Sequence, residues 1–265
     1  MLRFIVSTVV VLISWGFLSP MTANASRCIA YADRTPDVTP VKFSTAQTSG
    51  EVHITYVGHS TFRLKTSAGV IIATDYAGYA GAGPTPTVAT MNQAHETHYT
   101  EFPDPEIKHV LKGWNPDGGP AKHSLTVKDV YIRNVSTDIR GWIDTIVPDG
   151  NSIFIFEVAG LCIGHLGHLH HKPTPGQLAR IGRLDVVFAP VDGGHTLDLA
   201  SMIEVLKGLR ASLVIPMHYF GGESLAYFVE GMSSAFVIET KRAATTVVSL
   251  PSLPKRPTVL VLLGN

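Results

Sequence analysis

Charge of either sign is in balance in this chain: 21 Lys and Arg offset 21 Asp and Glu across 265 residues, and charged side chains make up only 16%. A neutral chain has no long-range field to draw it onto nucleic acid or anionic lipid, so nucleic acid is excluded as an expected partner. With 45% apolar residues it is too hydrophobic, and too sparsely charged, to be disordered over most of its length. Cysteine is scarce: two residues cannot build a disulfide scaffold in place of a core. No Gly-x-Ser-x-Gly elbow occurs, and neither cysteine sits in a local catalytic signature. The glycine-rich run from Gly78 to Gly83 lacks the Lys and the helix pattern of a phosphate loop. Fixed-period repeats are absent as well.

Long hydrophobic runs are limited to one, Phe4 to Leu18, which follows Arg3 and precedes Ala23-Asn24-Ala25. This pattern reads as a secretory signal peptide over residues 1–25, and the run is shorter than the ~20 residues that a membrane-spanning helix needs. The mature chain is expected to begin near Ser26, to be periplasmic or secreted, and to have no stable membrane insertion. Ser26-Arg27 before Cys28 is not a lipoprotein pattern, so no lipid anchor is expected. In an oxidising compartment Cys28 and Cys162 are able to pair. Cys28, however, falls in a polar stretch, residues 26–49, that reads as an extended, flexible leader, and the pairing stays open.

Regular structure is expected from residue 50 to 265 as a single α/β domain. Glu51 to Val57, Thr61 to Thr66 and Gly69 to Thr74 read as an antiparallel meander, Thr87 to Met91 and Thr126 to Val135 as strands, and Asn151 to Val158 with Leu161 to His165 as a hairpin about Ala159-Gly160. Thr174-Pro175 opens a helix with Leu178 and Ile181 inward. Further buried strands, Leu184 to Val191 and Ser212 to Pro216, alternate with helices at Thr196 to Leu209 and Ser224 to Met232, and strands at Thr245 to Leu250 and Thr258 to Leu263 close the chain. Two sheets covered by outer helices accommodate this order.

Eight of the 12 histidines fall in four windows: His95 and His98; His165, His168, His170 and His171; His195; and His218. Each window follows a strand, where open sheets expose functional loops. Neutral imidazole is the commonest metal ligand, and several from separate segments at one edge would suit Zn²⁺.

At these residues the chain is similar to a known family. Tyr56-Val57-Gly58-His59-Ser60-Thr61-Phe62-Arg63-Leu64, then Ile72-Ala73-Thr74-Asp75, resemble the opening of metallo-β-lactamase-fold hydrolases, particularly the branch around L-ascorbate-6-phosphate lactonase. Asn92 to His98, Ile163 to Leu169 and Ile215-Pro216-Met217-His218-Tyr219 match in the same order. The resemblance implies a four-layer αββα sandwich. Laid on the family's His-x-His-x-Asp-His loop, Gln93 to His98 keep His95 and His98, while Gln93 and Thr97 replace the first His and the Asp. His168 stands where the family has a metal-bridging Asp, His218 matches the last ligand, and the middle ligand position offers only Asp138.

The resemblance therefore implies an altered metal site, with His98, His168 and His218 as ligands and His95 as a fourth ligand or a base. With both carboxylates gone, one Zn ion rather than two is expected, although imidazoles also suit other transition metals. A metal-bound water would attack an ester, lactone, amide or phosphoester of a small-molecule substrate. Asp75 is expected to orient a ligand histidine, or else to cap the loop from Tyr76 to Pro86. His59 reads as a turn histidine packing under the site, His165 as pointing into the core, His170 and His171 as surface, and Asp192 or His195 as a pocket rim. The rival readings are a catalytically disarmed member that binds a ligand, and a periplasmic partner-binding module.

Overall fold

The computed structural model describes residues 26–29, 50–141, 143 and 145–263. The expected signal segment, 1–25, and most of the leader, 30–49, lie outside the described residues. Six strands make the first sheet: β1 (Val52–Gly58), β2 (Thr61–Lys65), β3 (Ile71–Ala73), β4 (Val88–Met91), β5 (His109–Lys112) and β13 (Thr245–Val248), in the order β13-β1-β2-β3-β4-β5. Eight make the second: β6 (Ser124–Val127), β7 (Val130–Arg140), β8 (Ile146–Val158), β9 (Leu161–His165), β10 (Val186–Pro190), β11 (Leu213–Met217), β12 (Val237–Lys241) and β14 (Thr258–Leu262), in the order β12-β14-β11-β10-β9-β8-β7-β6. The helices are α1 (Pro175–Ile181), α2 (Leu199–Leu209) and α3 (Gly222–Ser233). None of them is long and apolar enough to cross a membrane.

Strands β9, β10 and β11 are parallel neighbours and buried along their whole length, which is why they read as unbroken apolar runs. One face of the second sheet packs on the first sheet: Ile54, Phe62, Leu64 and Ile72 meet Phe154, Phe156, Phe188 and Ile215. Phe62 and Phe188 stack at 4.1 Å. Its other face presents Ile155, Val187 and Val214 to Ile181, Met202, Leu206, Phe228 and Met232 of the helices. Outside the first sheet, Ala73, Ala89 and Met91 are covered by Tyr76, Ala80 and Ile107 from loops. The outer layer on that side is therefore loop rather than helix among the described residues. The helix expected at Thr174-Pro175 begins there, with Thr174 and Gln177 forming a reciprocal capping box.

Four expectations change. The stretch Thr126 to Val135 is not one strand but parts of β6 and β7, joined where Lys128 adopts φ 50. The Asp129 carboxylate fixes that turn by accepting from the Thr66 hydroxyl and the Ala68 amide. Leu178 is 41% exposed while Ile181 is buried, because α1 has only seven residues and turns one of its apolar positions outward. Strand β5 lacks a long alternating run, and β12 ends in Glu239-Thr240-Lys241, so neither stood out in the sequence. Cys28 is anchored: it pairs with Cys162, and its carbonyl accepts from Arg183 N at 2.8 Å.

Candidate metal centre

Five chain segments meet at the ends of β4, β9, β10 and β11 and at the β1–β2 turn. The β1–β2 turn carries His59 at φ 51, the loop after β4 supplies His95 and His98, the loop after β9 supplies His168 and His170, and β11 ends immediately before His218. His95, His98, His168 and His218 each bring one ring nitrogen into a group whose members all lie within 4.8 Å of one another. His98, His168 and His218 are buried and His95 is partly exposed.

Three of the rings are hydrogen-bonded from behind through Nδ1, and His218 has a carboxylate beside its Nδ1 that lies out of hydrogen-bonding line. His98 Nδ1 lies 2.7 Å from Asp75 Oδ2, with Ser60 Oγ at 3.1 Å. His218 Nδ1 lies 3.0 Å from Asp192 Oδ1, His168 Nδ1 is 2.5 Å from His170 Nε2, and His95 Nδ1 is 2.7 Å from Thr97 Oγ1. The inward nitrogens are then the four Nε2 atoms. Those of His98 and His218 stand 3.1 Å apart, and those of His95 and His168 2.9 Å apart.

The first of these pairs tests whether the residues fit a metal ion. The Asp75 carboxylate accepts and does not donate, so it places the proton of His98 on Nδ1 and leaves its Nε2 lone pair facing His218 Nε2. The Asp192 carboxylate beside His218 Nδ1 favours the same tautomer there through its charge, and two lone pairs then face each other. Two lone pairs at that distance repel unless they share a cation, a proton or a metal ion. The donors are neutral nitrogen ligands of the kind that divalent transition metals take, and carboxylate-backed imidazoles are a recurring support for such sites. The cluster could therefore hold a metal ion.

Asp75 is fully buried, at φ 42, and its other oxygen accepts from Asn92 Nδ2 at 2.8 Å. Burial alone would raise its pKa, but the nearby His165 ring and the hydrogen bonds from His98 and Asn92 hold the carboxyl below its usual range. Asp192 follows the same logic: burial is outweighed by His218 and by donation from Thr196, Gly194 and His195, and its carboxyl also lies well below the usual range. Two buried carboxylates thus stay ionised behind two imidazoles. Asn92 accepts from Ser152 N at 2.7 Å, and Asn151 accepts from His168 N at 2.8 Å. A Cβ on Gly167, at φ +60, would come 2.4 Å from side-chain atoms of both asparagines, so only glycine fits this crossing.

The sequence-derived residues separate as follows. His95, His98, His168 and His218 come together, and Asp75 stands behind His98. His59 flanks the cluster, its ring 4.1 Å from that of His218 and its Nε2 2.9 Å from Thr97 Oγ1. His165 is buried, donates through Nε2 to the Ser60 carbonyl and accepts from Gly167 N. Asp138 is outside the cluster and accepts from Asp149 N across the β7–β8 hairpin. His195 is exposed, its ring 5.6 Å from that of Phe220. His170 is not a surface residue: it is 8% exposed and accepts from Arg140 N. Asp192, Asn92, Asn151 and His170 were the supports that sequence reasoning did not assign, and Asp192 alone had a signal, in its Asp-Gly-Gly run after a buried strand. Two grooves of about 760 and 550 Å³ share Pro120, Ala121, Lys122 and His123, and neither includes a residue of the cluster.

Burial, followed by the neighbouring imidazoles, lowers His95 to about 4 and His59 to about 3, and holds His168 well below the ordinary value. His170 falls to about 4 through burial and then Arg140. Unfolded, the same groups titrate near 6.5, so below that pH the unfolded chain binds more protons and stability declines. In metal-free protein the urea midpoint is expected to stay level from about pH 8 to about 6.5 and to fall as the pH drops toward about 4. A midpoint at pH 5 equal to that at pH 8 would contradict the neutral, buried state of these rings.

Comparison with known proteins agrees with this architecture. A similar fold occurs in a proposed Zn-dependent hydrolase of the metallo-β-lactamase superfamily from Thermotoga maritima, with 29% identity, a TM-score of 0.59, and coverage of 81% of this chain and 100% of that one. A proposed metal-dependent hydrolase from Parabacteroides distasonis follows at 14% identity and TM-score 0.55, over 69% and 89% of the two chains. A metallo hydrolase from Ignicoccus hospitalis has 18% identity and TM-score 0.52, over 70% and 91%. At those lower identities the likeness is one of fold. No functionally curated protein matches the chain. The beta-lactamase superfamily domain matches residues 53–218, which run from β1 to the last histidine of the cluster, and the chain belongs to that superfamily.

Proposed function

We propose that the protein is a hydrolase of a small-molecule ester, lactone, amide or phosphoester, dependent on one transition-metal ion, zinc before others, bound within the cluster that His95, His98, His168 and His218 form. The observation that carries this reading is the convergence of four Nε2 atoms, two of them facing lone pairs backed by buried carboxylates. A zinc ion, when bound, supplies Lewis acidity and lowers the pKa of a water ligand to about 7. Asp75 and Asp192 fix the tautomers and ring planes of His98 and His218. Thr97 and His168 stand where two carboxylates would offset the charge of a second dication, which supports one ion. Phe220, 67% exposed, sets its ring 5.2 Å from His218 and 5.5 Å from His59, an apolar wall that favours a substrate with an apolar group beside the scissile bond. The motif order shared with the lactonase-like branch supports a lactone or related ester. The Cys28–Cys162 disulfide supports export to the periplasm or beyond.

A disarmed, ligand-binding member is the second reading, favoured by Gln93, Thr97 and His168 at positions where the family ligates metal. Elemental analysis of gently purified protein, with hydrolysis assays on chromogenic esters, lactones and phosphoesters, separates the two. About one ion per chain is expected, with ion and hydrolysis both lost in His98→Ala and His218→Ala. Folded wild-type protein without stoichiometric metal would overturn the hydrolase reading, and metal without turnover of any of these substrates would favour the disarmed one.

A further inference from the structure

The four clustered imidazoles are not chemically equivalent, because their hydrogen bonds have a direction set by a backbone amide. Arg140 N–H donates to His170 Nδ1 at 2.6 Å, and a backbone amide can only donate. His170 Nδ1 is therefore a lone pair, and the ring proton of His170 is on Nε2. That Nε2–H points at His168 Nδ1, 2.5 Å away, which must accept. The proton of His168 consequently lies on Nε2, inside the cluster, and points at His95 Nε2 at 2.9 Å. His95 in turn carries its proton on Nδ1 and donates to Thr97 Oγ1 at 2.7 Å, and the Thr97 hydroxyl donates to His59 Nε2 at 2.9 Å. One donor direction runs through all five residues from Arg140.

Three Nε2 atoms, those of His95, His98 and His218, thus offer lone pairs to the centre, and one, that of His168, offers a hydrogen. A nitrogen that carries a proton cannot ligate. Resting on the metal-dependent reading above, we propose that His95, His98 and His218 are the metal ligands and that His168 is the hydrogen-bond donor of the site, presenting Nε2–H to an oxygen of the substrate. Once His95 Nε2 turns to an ion, the 2%-exposed His168 loses its acceptor, and a buried N–H without a partner is costly. A carbonyl or phosphoryl oxygen bound beside the ion restores the bond. Donors aimed where negative charge develops in hydrolysis stabilise that charge. The family-position carboxylate, which accepts hydrogen bonds, is replaced here by a residue that donates one.

The test is the tautomer, read by long-range ¹H–¹⁵N correlation in ¹⁵N-labelled protein, metal-free and Zn²⁺-loaded. His168 is expected as the Nε2–H form in both states, and an Nδ1–H form in either overturns the proposal. Zn²⁺ competition gives the second reading: His168→Gln should keep affinity within about 10-fold, whereas His95→Gln, His98→Gln and His218→Gln should each lose at least about 100-fold. A loss in His168→Gln equal to that in His98→Gln would make His168 a ligand and sink the donor role. His170→Phe frees His168 Nδ1, lets its proton move there, and should add a fourth nitrogen to the Co²⁺ spectrum; an unchanged spectrum would argue against the relay. With inorganic phosphate as probe, His168→Leu, which has no donor, should in the Zn²⁺-loaded form bind at least about 10-fold more weakly, and equal binding would remove its contact with the bound oxygen. If wild-type protein binds no ion, the hydrolase reading and the ligand assignment both fail, and the tautomer still decides the direction of the relay.

Discussion

Asp75→Ala is expected to cost about 3–5 kcal/mol of folding stability and to weaken metal retention about 10–100-fold. The carboxylate is fully buried and bridges two elements, accepting from His98 Nδ1 at 2.7 Å and from Asn92 Nδ2 at 2.8 Å. Removing it leaves His98 Nδ1 with only Ser60 Oγ at 3.1 Å and Asn92 Nδ2 with only the Ser152 carbonyl at 3.4 Å, in a region that water does not reach, and a poorly satisfied buried donor costs more than the hydrogen bond itself contributes. It also frees His98 to put its proton on Nε2, and that closes the lone pair that would face the ion. Asn92 then loses the contact that orients it toward Ser152 N, so the damage spreads to β8. Asp75→Asn should fall between wild type and alanine, since its carbonyl oxygen can still accept from one donor while its amide opposes the other. Denaturant melts combined with Zn²⁺ competition check this. An alanine variant with wild-type stability and metal affinity would show that Asp75 does no more than shape the Tyr76 loop.

The sequence made the site's inward-facing residues visible and left their supports hidden, and the reason is physical. His95, His98, His168 and His218 are chemically distinctive and follow apolar runs whose length and composition mark them as buried strands, so their place at one sheet edge could be inferred. Asp192, Asn92 and Asn151 act through contacts between segments far apart in the chain, such as Asn92 with Ser152, and no local pattern encodes those. His170 looked like surface because it sits in a polar His-His-Lys-Pro stretch, whereas Arg140, thirty residues upstream, reaches over from the end of β7 and buries it. The same limit explains the strands. β9 to β11 were legible because both faces are apolar, while β5 and β12, at sheet edges and short, carry too little periodicity. The β6–β7 turn was hidden because Lys128-Asp129 is an uncommon hairpin pair, held by Thr66 and Ala68 across the sheets.

Removing the Cys28–Cys162 bond, by Cys28→Ser with Cys162→Ala, is expected to lower stability by about 2–5 kcal/mol, a fall in Tm of roughly 5–20 °C. The bond closes a loop of 134 residues in sequence, and loop closure of that size removes much conformational freedom from the unfolded chain. It also holds a short strap against the helical side of the second sheet. Ser26 Oγ and Arg27 N donate to Glu157, which pairs with Arg133 Nε at 2.8 Å, and Arg133 donates onward to the Arg180 and Ile181 carbonyls at the end of α1. Gly182, at φ +74, leaves room for the strap: a Cβ there would meet the Cys28 carbonyl at 2.2 Å. Without the covalent tie, these bonds alone must offset the entropy lost in ordering the strap. The strap bonds to Glu157, Arg183 and Cys162, and not to Asp75, Asp192, Thr97 or His170, so metal stoichiometry should survive the double substitution. Thermal melts of wild type with and without reductant should reproduce the difference. Equal Tm values in all three states would mean that the noncovalent contacts of residues 26–29 already fix this end of the domain.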